Sequence, residues 1–388
     1  MFPVALLAAI TTTTLTRPNT SWATVPVVYI SGMKQRRSKE EFTYLAKYRI
    51  VITTKRETDG AVVNCTAPGC EHQERIQASV LAGVKAVNPN VFTGAYINSM
   101  LDFGVCSMAA RYAAYPRLCV TNASSGLPAT FTGDGPSTKN KTGVFAFDVS
   151  TAAGRAPWLD TVSWLVATGA VDSIFADKSE VSAGFGVCNR PDPNPDCVAH
   201  KSDPTFLCQD VCIDLGATGA AAFNAGKAAL FAQAAALLPS KAIWLHKETA
   251  SFYNGTTLYV PFRPTVKLMD YFVGLEGQYE TVMAWVDDPG CPPNSAALNS
   301  TLAAFLLVAW KGMFLQCTPY GGGSGKSAWR TEYERALGPP LGPANRTGVV
   351  HTRTFASGTT VSYDFRTKVG QINWGGSTPI AGESGATP

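Results

Sequence analysis

Charge is scarce in this sequence. Asp, Glu, Lys and Arg make up 15% of its 388 residues, and the net charge is only +4. Acids and bases are interspersed, so no field builds up that would draw nucleic acid or anionic lipid. Histidine is scarcer still: His72, His200, His246 and His351 are all there is, and they show no metal-ligand spacing. Past the N-terminus no segment reaches the length needed to span a bilayer, and the apolar stretches Ala228–Leu238 and Leu302–Trp310 read as core helices. No Gly-x-Ser-x-Gly elbow occurs, which argues against an α/β-hydrolase. The run Tyr320–Ser327 comes near a phosphate loop, but the pattern needs glycine where Tyr320 stands. The expectation is therefore no metal, no cofactor, no nucleic-acid partner and no stable membrane insertion.

Apolar residues, at 46%, suffice for a sizeable core and exclude disorder for the bulk of the chain. Gly (35) and Pro (25) are plentiful, so loops should be long. The N-terminus reads as a short apolar stretch, Met1–Ile10, then a Thr-rich run, with Ser21-Trp-Ala23 before a possible cleavage point. It lacks the usual basic residue at its start. The ten cysteines are even in number. Asn-x-Ser/Thr sequons occur at Asn19, Asn64, Asn122, Asn140, Asn254, Asn299 and Asn345. Together these features lead us to expect a signal peptide over 1–23 and a secreted, disulfide-bonded glycoprotein, monomeric and extracellular.

Eight β-type runs can be marked: Val27–Ser31, Tyr48–Thr54, Val91–Asn98, Val144–Ser150, Val171–Lys178, Ala242–Glu248, Tyr271–Gly277 and Met313–Thr318. Most are apolar on both faces, as strands of parallel sheets are. Helical patterns fall between most of them, at Ser38–Lys47, Glu74–Val87, Leu101–Tyr115, Arg155–Thr168, Thr218–Leu238, Ala296–Trp310 and Ser327–Leu337. Thr249–Asp270 reads as a long loop. The alternation predicts a (β/α)8 TIM barrel over 24–340. After a Pro/Gly-rich joint, Val349–Phe355, Thr359–Phe365 and Gly370–Trp374 predict a small C-terminal antiparallel β appendage over 341–376, and 377–388 reads as a loose tail. Cys65 and Cys70 suit a local pair, Cys106 and Cys119 flank the helix after the third run, and Cys291 suits Cys317. Cys188, Cys197, Cys208 and Cys212 share one insertion, and spacing leaves the connectivity open.

Reactive side chains of a barrel collect at the C-terminal ends of its strands. The polar residues at the predicted ends are Asn98, Asp148, Asp177, Glu248 and Glu276. Two carboxylates suffice to cleave a glycosidic bond: one protonates the leaving oxygen, while the other supplies negative charge or an activated water on the opposite face. Asp177 and Glu276 are the working pair, with the choice of acid and the retaining or inverting outcome open. Asp148 fits a helix cap as well as a support role. Aromatics at or beyond strand ends, Tyr29, Tyr96, Phe103, Trp244, Tyr253, Tyr279 and Trp285, suit stacking on sugar rings as well as core packing. Asp148, Asn98, Glu248, Tyr96, Trp244 and Tyr29 form the substrate-binding set.

A resemblance joins these residues. Phe145-Ala-Phe-Asp-Val-Ser-Thr151, Arg155-Ala-Pro-Trp-Leu159 and Gly169-Ala-Val-Asp-Ser-Ile-Phe-Ala-Asp177 resemble a segment of glycoside-hydrolase-like (β/α)8 TIM-barrel families. There a strand with Asp leads through an Arg…Trp helix to a Val-Asp-Gly-Ile-Phe-x-Asp strand. Ser173 stands in the glycine position here, and Lys178 follows the aspartate. Asp270–Glu276 resembles their later strand ending in Glu, and Thr354–Asp364 with Gly370–Trp374 resembles their closing strands. The resemblance implies Asp177 and Glu276 as catalytic, with Asp148 in support. It implies a glycoside hydrolase acting on a poly- or oligosaccharide. The alternative is a non-catalytic carbohydrate-binding or cell-surface glycoprotein on a degenerate barrel.

Overall fold

The computed structural model describes residues 18, 21–32, 37–54, 73–99, 101–102, 130–131, 144–177, 216–238, 242–246, 257–262, 264–276, 278–279, 281–286, 291, 295–317 and 329–376. In chain order the elements are β1 (Val27–Gly32), α1 (Lys39–Leu45), β2 (Ile50–Thr54), α2 (Gln73–Val87), β3 (Phe92–Asn98), β4 (Leu101–Asp102), β5 (Thr130–Phe131) and β6 (Val144–Ala146). Next come α3 (Ala152–Ala167), β7 (Ser173–Asp177), α4 (Gly216–Leu237), β8 (Ala242–His246), β9 (Thr257–Pro261), α5 (Val266–Gly274), β10 (Thr281–Trp285), α6 (Ser295–Val308) and β11 (Met313–Gln316). The C-terminal strands are β12 (Asn345–Thr347), β13 (Val350–Thr354), β14 (Thr360–Asp364) and β15 (Val369–Asn373).

The molecule is mixed α/β. A curled, all-parallel sheet runs β1-β2-β3-β7-β8-β9-β10-β11, and β11 pairs back to β1. The two-residue period of its strands makes two cores. Val28, Ile30, Ile50, Ile52, Phe92, Tyr96, Phe175, Met283 and Phe314 fill the interior of the curl. Their strand neighbours Val27, Tyr29, Val51, Ala95, Ile174 and Leu315 join the core outside it, which takes in the helices. On α2 the expected stripe Ile76, Val80, Leu81 and Val84 is buried, and on α3 so are Trp158, Val162 and Leu165. α1 starts at Ser38 through a capping box: Glu41 N donates to Ser38 Oγ, and Ser38 N donates to Glu41 Oε2 at 2.8 Å.

Six of the eight predicted runs contain strands of this sheet, and two do not. Val144–Ser150 contributes β6, which pairs antiparallel with β4 and β5 in a separate three-stranded sheet. Tyr271–Gly277 overlaps α5. There Met269, Phe272 and Leu275 are buried while Tyr271 and Val273 are 42% exposed, a helical stripe in which Tyr-Phe-Val mimics a strand. The missing strands are β9, inside the expected loop Thr249–Asp270, and β10. Of two other predicted helices, Leu101–Tyr115 begins as β4, and Ser327–Leu337 contains a 3-10 turn at Thr331–Glu334.

The C-terminal strands form a second sheet, β12-β13-β14-β15, wholly antiparallel. It packs on α6. Gly370 lies so near that helix that an added Cβ would sit 2.8 Å from Ser300 Cα and Ala303 Cβ. Arg353 reaches from β13 to the end of α6 and donates to the carbonyls of Leu306 (3.0 Å), Leu307 (3.2 Å) and Ala309 (2.6 Å). A cation there also suits the helix dipole. The expected Cys291–Cys317 disulfide is present and ties the segment after β10 to the end of β11. The other eight cysteines, and the segments 1–17 and 377–388, lie outside the described residues. Among the described residues no helix is long and apolar enough to cross a membrane.

Candidate active site

Four interior-facing strand positions end in a polar residue. β2 ends in Thr54, β3 in Asn98, β7 in Asp177 and β11 in Gln316, and all four are buried. Each stands two residues beyond an apolar interior residue: Ile52, Tyr96, Phe175 and Phe314. The strand period therefore turns all four inward, as a polar tier above the apolar interior. Because every strand runs parallel, the tier lies at the C-terminal mouth of the sheet, where ligands of parallel α/β folds bind.

Asp177 is the best-held member of the tier. β3 and β7 pair with Tyr96 beside Phe175 and Asn98 beside Asp177. The Tyr96 ring stacks on Phe175 with centroids 5.8 Å apart. Its hydroxyl donates a short hydrogen bond to Asp177 Oδ2. Asn98 Nδ2 donates to the same oxygen at 3.3 Å. The Asp177 carbonyl accepts from Ser99 N at 2.9 Å and Ser99 Oγ at 2.8 Å. Behind β3, Gln77 of α2 donates to the Tyr96 carbonyl at 3.1 Å and accepts from Thr53 Oγ1 at 2.6 Å. The carboxylate thus rests on three layers of fixed partners. Thr54 Oγ1, also at the mouth, is buried with no hydrogen-bond partner among the described residues.

Glu276 does not join Asp177. It follows α5 and precedes β10, so it sits at the N-terminal end of the sheet, opposite the mouth, and is exposed. Its charge acts on Arg353 of the C-terminal sheet, opposing the lowering of that guanidinium's pKa by burial. The expected pair fails because its segment is a helix that leads into a strand, not a strand that leads out to the rim. Tyr29 is corrected too. It alternates with Val28 and Ile30, so it faces the helices, where its ring meets those of Tyr48 at 5.0 Å and Tyr44 at 6.3 Å. Asp148 is half-buried after β6, and its Oδ1 accepts from Ser150 N at 3.2 Å and from Ser150 Oγ, a local turn. Trp244 stands in β8 in register with Phe175. Tyr279 is bridged to Glu276, and Trp285 ends β10 in register with Gln316. Glu248, Phe103 and Tyr253 lie outside the described residues.

Sequence reasoning missed Thr54, Gln316, Ser99 and Gln77. The signal for the first two is a polar residue two places after an apolar one at a strand's end. For Gln77 it is a polar residue inside the apolar stripe of α2. Among the described residues, no three His, Cys, Asp or Glu side chains are grouped as metal ligands.

No family model matches the chain, and no curated protein matches it by sequence. Solved structures do. The α-N-acetylgalactosaminidase NagBb of Bifidobacterium bifidum, in complex with GalNAc, is 11% identical with a TM-score of 0.51; the match covers 92% of this chain and 59% of that one. The noncanonic maltogenic α-amylase AmyB of Thermotoga neapolitana is 10% identical with a TM-score of 0.48, covering 87% of this chain and 84% of that one. The glycoside hydrolase domain of PelA from Pseudomonas aeruginosa is 13% identical with a TM-score of 0.43, covering 76% and 95%. This chain is similar in fold to glycoside hydrolases.

Proposed function

We propose that the chain is a secreted glycoside hydrolase on a (β/α)8 TIM barrel, cleaving an O-glycosidic bond of a poly- or oligosaccharide with Asp177 as one of two carboxylates. The observation that carries this reading is Asp177 itself. It is a carboxylate at the C-terminal mouth of a closed parallel sheet, 7% exposed and held from one side by Tyr96 and Asn98. A carboxylate that accepts from Tyr96 and Asn98 suits the charged role, as nucleophile or as the base that activates water. The likeness to a sugar-cleaving enzyme in fold agrees with this but does not supply the residues.

The second carboxylate must come from elsewhere than Glu276. Glu248, two residues beyond the end of β8, stays a candidate by position in the chain, and Asp287 and Asp288, just beyond β10, join it. All three lie outside the described residues. One of them would protonate the leaving oxygen, leaving Asp177 to stabilise or attack the anomeric carbon.

The test is release of reducing ends from a panel of hexose and N-acetylhexosamine oligosaccharides. Asp177→Asn is expected to lower kcat by at least ~100-fold with the fold intact, and Glu276→Gln to leave it unchanged. Full activity in Asp177→Asn overturns the site. A wild-type chain that binds glycans without releasing product favours the non-catalytic binding module.

A further inference from the structure

Two sequons fall within the described residues, and the fold treats them oppositely. Asn299 lies half-buried on α6, the helix that carries the C-terminal sheet. Its side-chain Oδ1 is buried with no hydrogen-bond partner among the described residues. The next residue, Ser300, accepts from Gly370 N at 3.1 Å, and a single methyl on Gly370 would already come within 2.8 Å of Ser300 Cα. Helix and strand are therefore in close contact right beside Asn299.

Asn345 is the reverse case. Asn345, Arg346 and Thr347 make up β12, all exposed, on an extended edge strand paired with β13. Arg346 turns under the sheet to Asp270 of α5 at 2.5 Å and stands in register with the buried His351. Strand alternation therefore sends Asn345 and Thr347 to the solvent face. There Asn345, Thr352, Ser362 and Gln371 form one cross-strand row, and Thr347, Val350, Asp364 and Val369 the next. Val350 and Val369 are 37% and 49% exposed on this face, with nothing over them among the described residues. β12 is the edge strand of the sheet, and an edge invites pairing with other chains unless it is shielded.

We propose that Asn345 accepts an N-linked glycan that shields the β12 edge and this solvent face, and that the folded chain is bare at Asn299. The donor is a lipid pyrophosphate-linked oligosaccharide of the secretory pathway. The Asn345 carboxamide nitrogen forms a bond to the anomeric C1, and the C1–O bond to the pyrophosphate breaks. The lipid pyrophosphate leaves with that electron pair, and the displaced amide proton goes to the transferase's base. A sugar on Asn299 would displace what packs around its buried Oδ1, so chains carrying one do not complete the fold.

The inference rests on the proposed secretory route for its setting, but its test supplies that route. The full chain is directed by an added signal sequence through a cultured eukaryotic cell. The secreted, folded fraction is then treated with an amidase that releases N-glycans in 18O-water, and peptides are read by mass spectrometry. Labelled aspartate is expected at 345 and not at 299. Asn345→Gln and Thr347→Val should each remove one glycan step in gel mobility, and Asn299→Gln none. Thr347→Val keeps the asparagine, so loss of the sugar is separated from loss of the side chain. An unmodified Asn345, or a glycan on Asn299 in the folded fraction, overturns the proposal. Hydrolase activity is assayed independently through Asp177, so neither result can be mistaken for failure of the proposed function.

Discussion

Tyr96 donates its phenolic proton to the carboxylate of Asp177 across 81 residues of sequence, and the register of β3 against β7 brings them together. Tyr96→Phe keeps the ring against Phe175 and removes only the donor. A hydrogen bond to a charged group contributes roughly 1.5–3 kcal/mol. The variant should therefore lose about ten-fold or more in kcat, with a smaller change in KM, while Asn98 still holds Oδ2. Steady-state kinetics on the substrate found in the screen check this, and an unchanged kcat removes Tyr96 from the site.

Thr54 gives an opposite signature. Its hydroxyl is buried and unpartnered among the described residues, so it costs stability as it stands. Thr54→Val should raise stability by about 1 kcal/mol in urea unfolding and weaken ligand binding. A stability loss with unchanged binding would mean the hydroxyl is structural.

His351 makes the C-terminal sheet acid-sensitive. Burial lowers its pKa below the ordinary value of 6.5, and Arg346 lowers it further, against the opposing pull of Asp270. Its ring also packs on Phe365 at 4.7 Å. A base whose folded pKa lies below its unfolded value contributes no penalty above 6.5. As pH falls below that value the unfolded state binds the proton first, so stability declines. Melting curves between pH 7.5 and about 5 should show this fall, and His351→Gln should flatten it.

Gly370 fixes how closely the sheet approaches α6. Gly370→Ala sets a methyl 2.8 Å from helix backbone and from the Ala303 side chain. Overpacking of this kind costs about 1–3 kcal/mol. Calorimetry should show the loss, and Ala303→Gly in the same chain should restore part of it by removing one of the three obstructing atoms.

The Cys291–Cys317 bridge closes a separation of 26 residues. Chain-entropy reasoning gives it about 3–4 kcal/mol. Cys291→Ser with Cys317→Ser should lower the melting temperature by a corresponding amount, and reductant should then have no further effect through this pair.

The legible part of the fold was the part where period and burial agree. β1, β2, β3, β7 and β11 are apolar runs with buried residues on both faces, and their sequences read that way. The Ile76–Val84 stripe is equally plain. Two segments misled because local pattern and tertiary setting diverge. Phe272 and Val273 belong to a β-rich run, yet Phe272 is buried and Val273 exposed because the segment turns as a helix. Thr257–Pro261 ends in proline, which demotes a strand by local rules, but Pro261 stands at its last position, in register with Trp285. In the site, Asp177, Asn98 and Tyr96 were legible because a polar residue closes an apolar strand. Glu276 followed the same rule in the wrong element. The rule also applied to Thr54 and Gln316, where the polar residue carries no charge to draw the eye.

The interior of the curled sheet is not a passage. Ile30, Ile52, Phe175 and Phe314 are buried there with at most 1% of their surface exposed, and Tyr96 lies at the top of the same stack. This stack acts as a fixed floor, and it sets the depth at which an incoming molecule must stop. Asp177 stands just above that floor, two residues beyond Phe175 on the same strand, so the floor fixes the depth of the carboxylate.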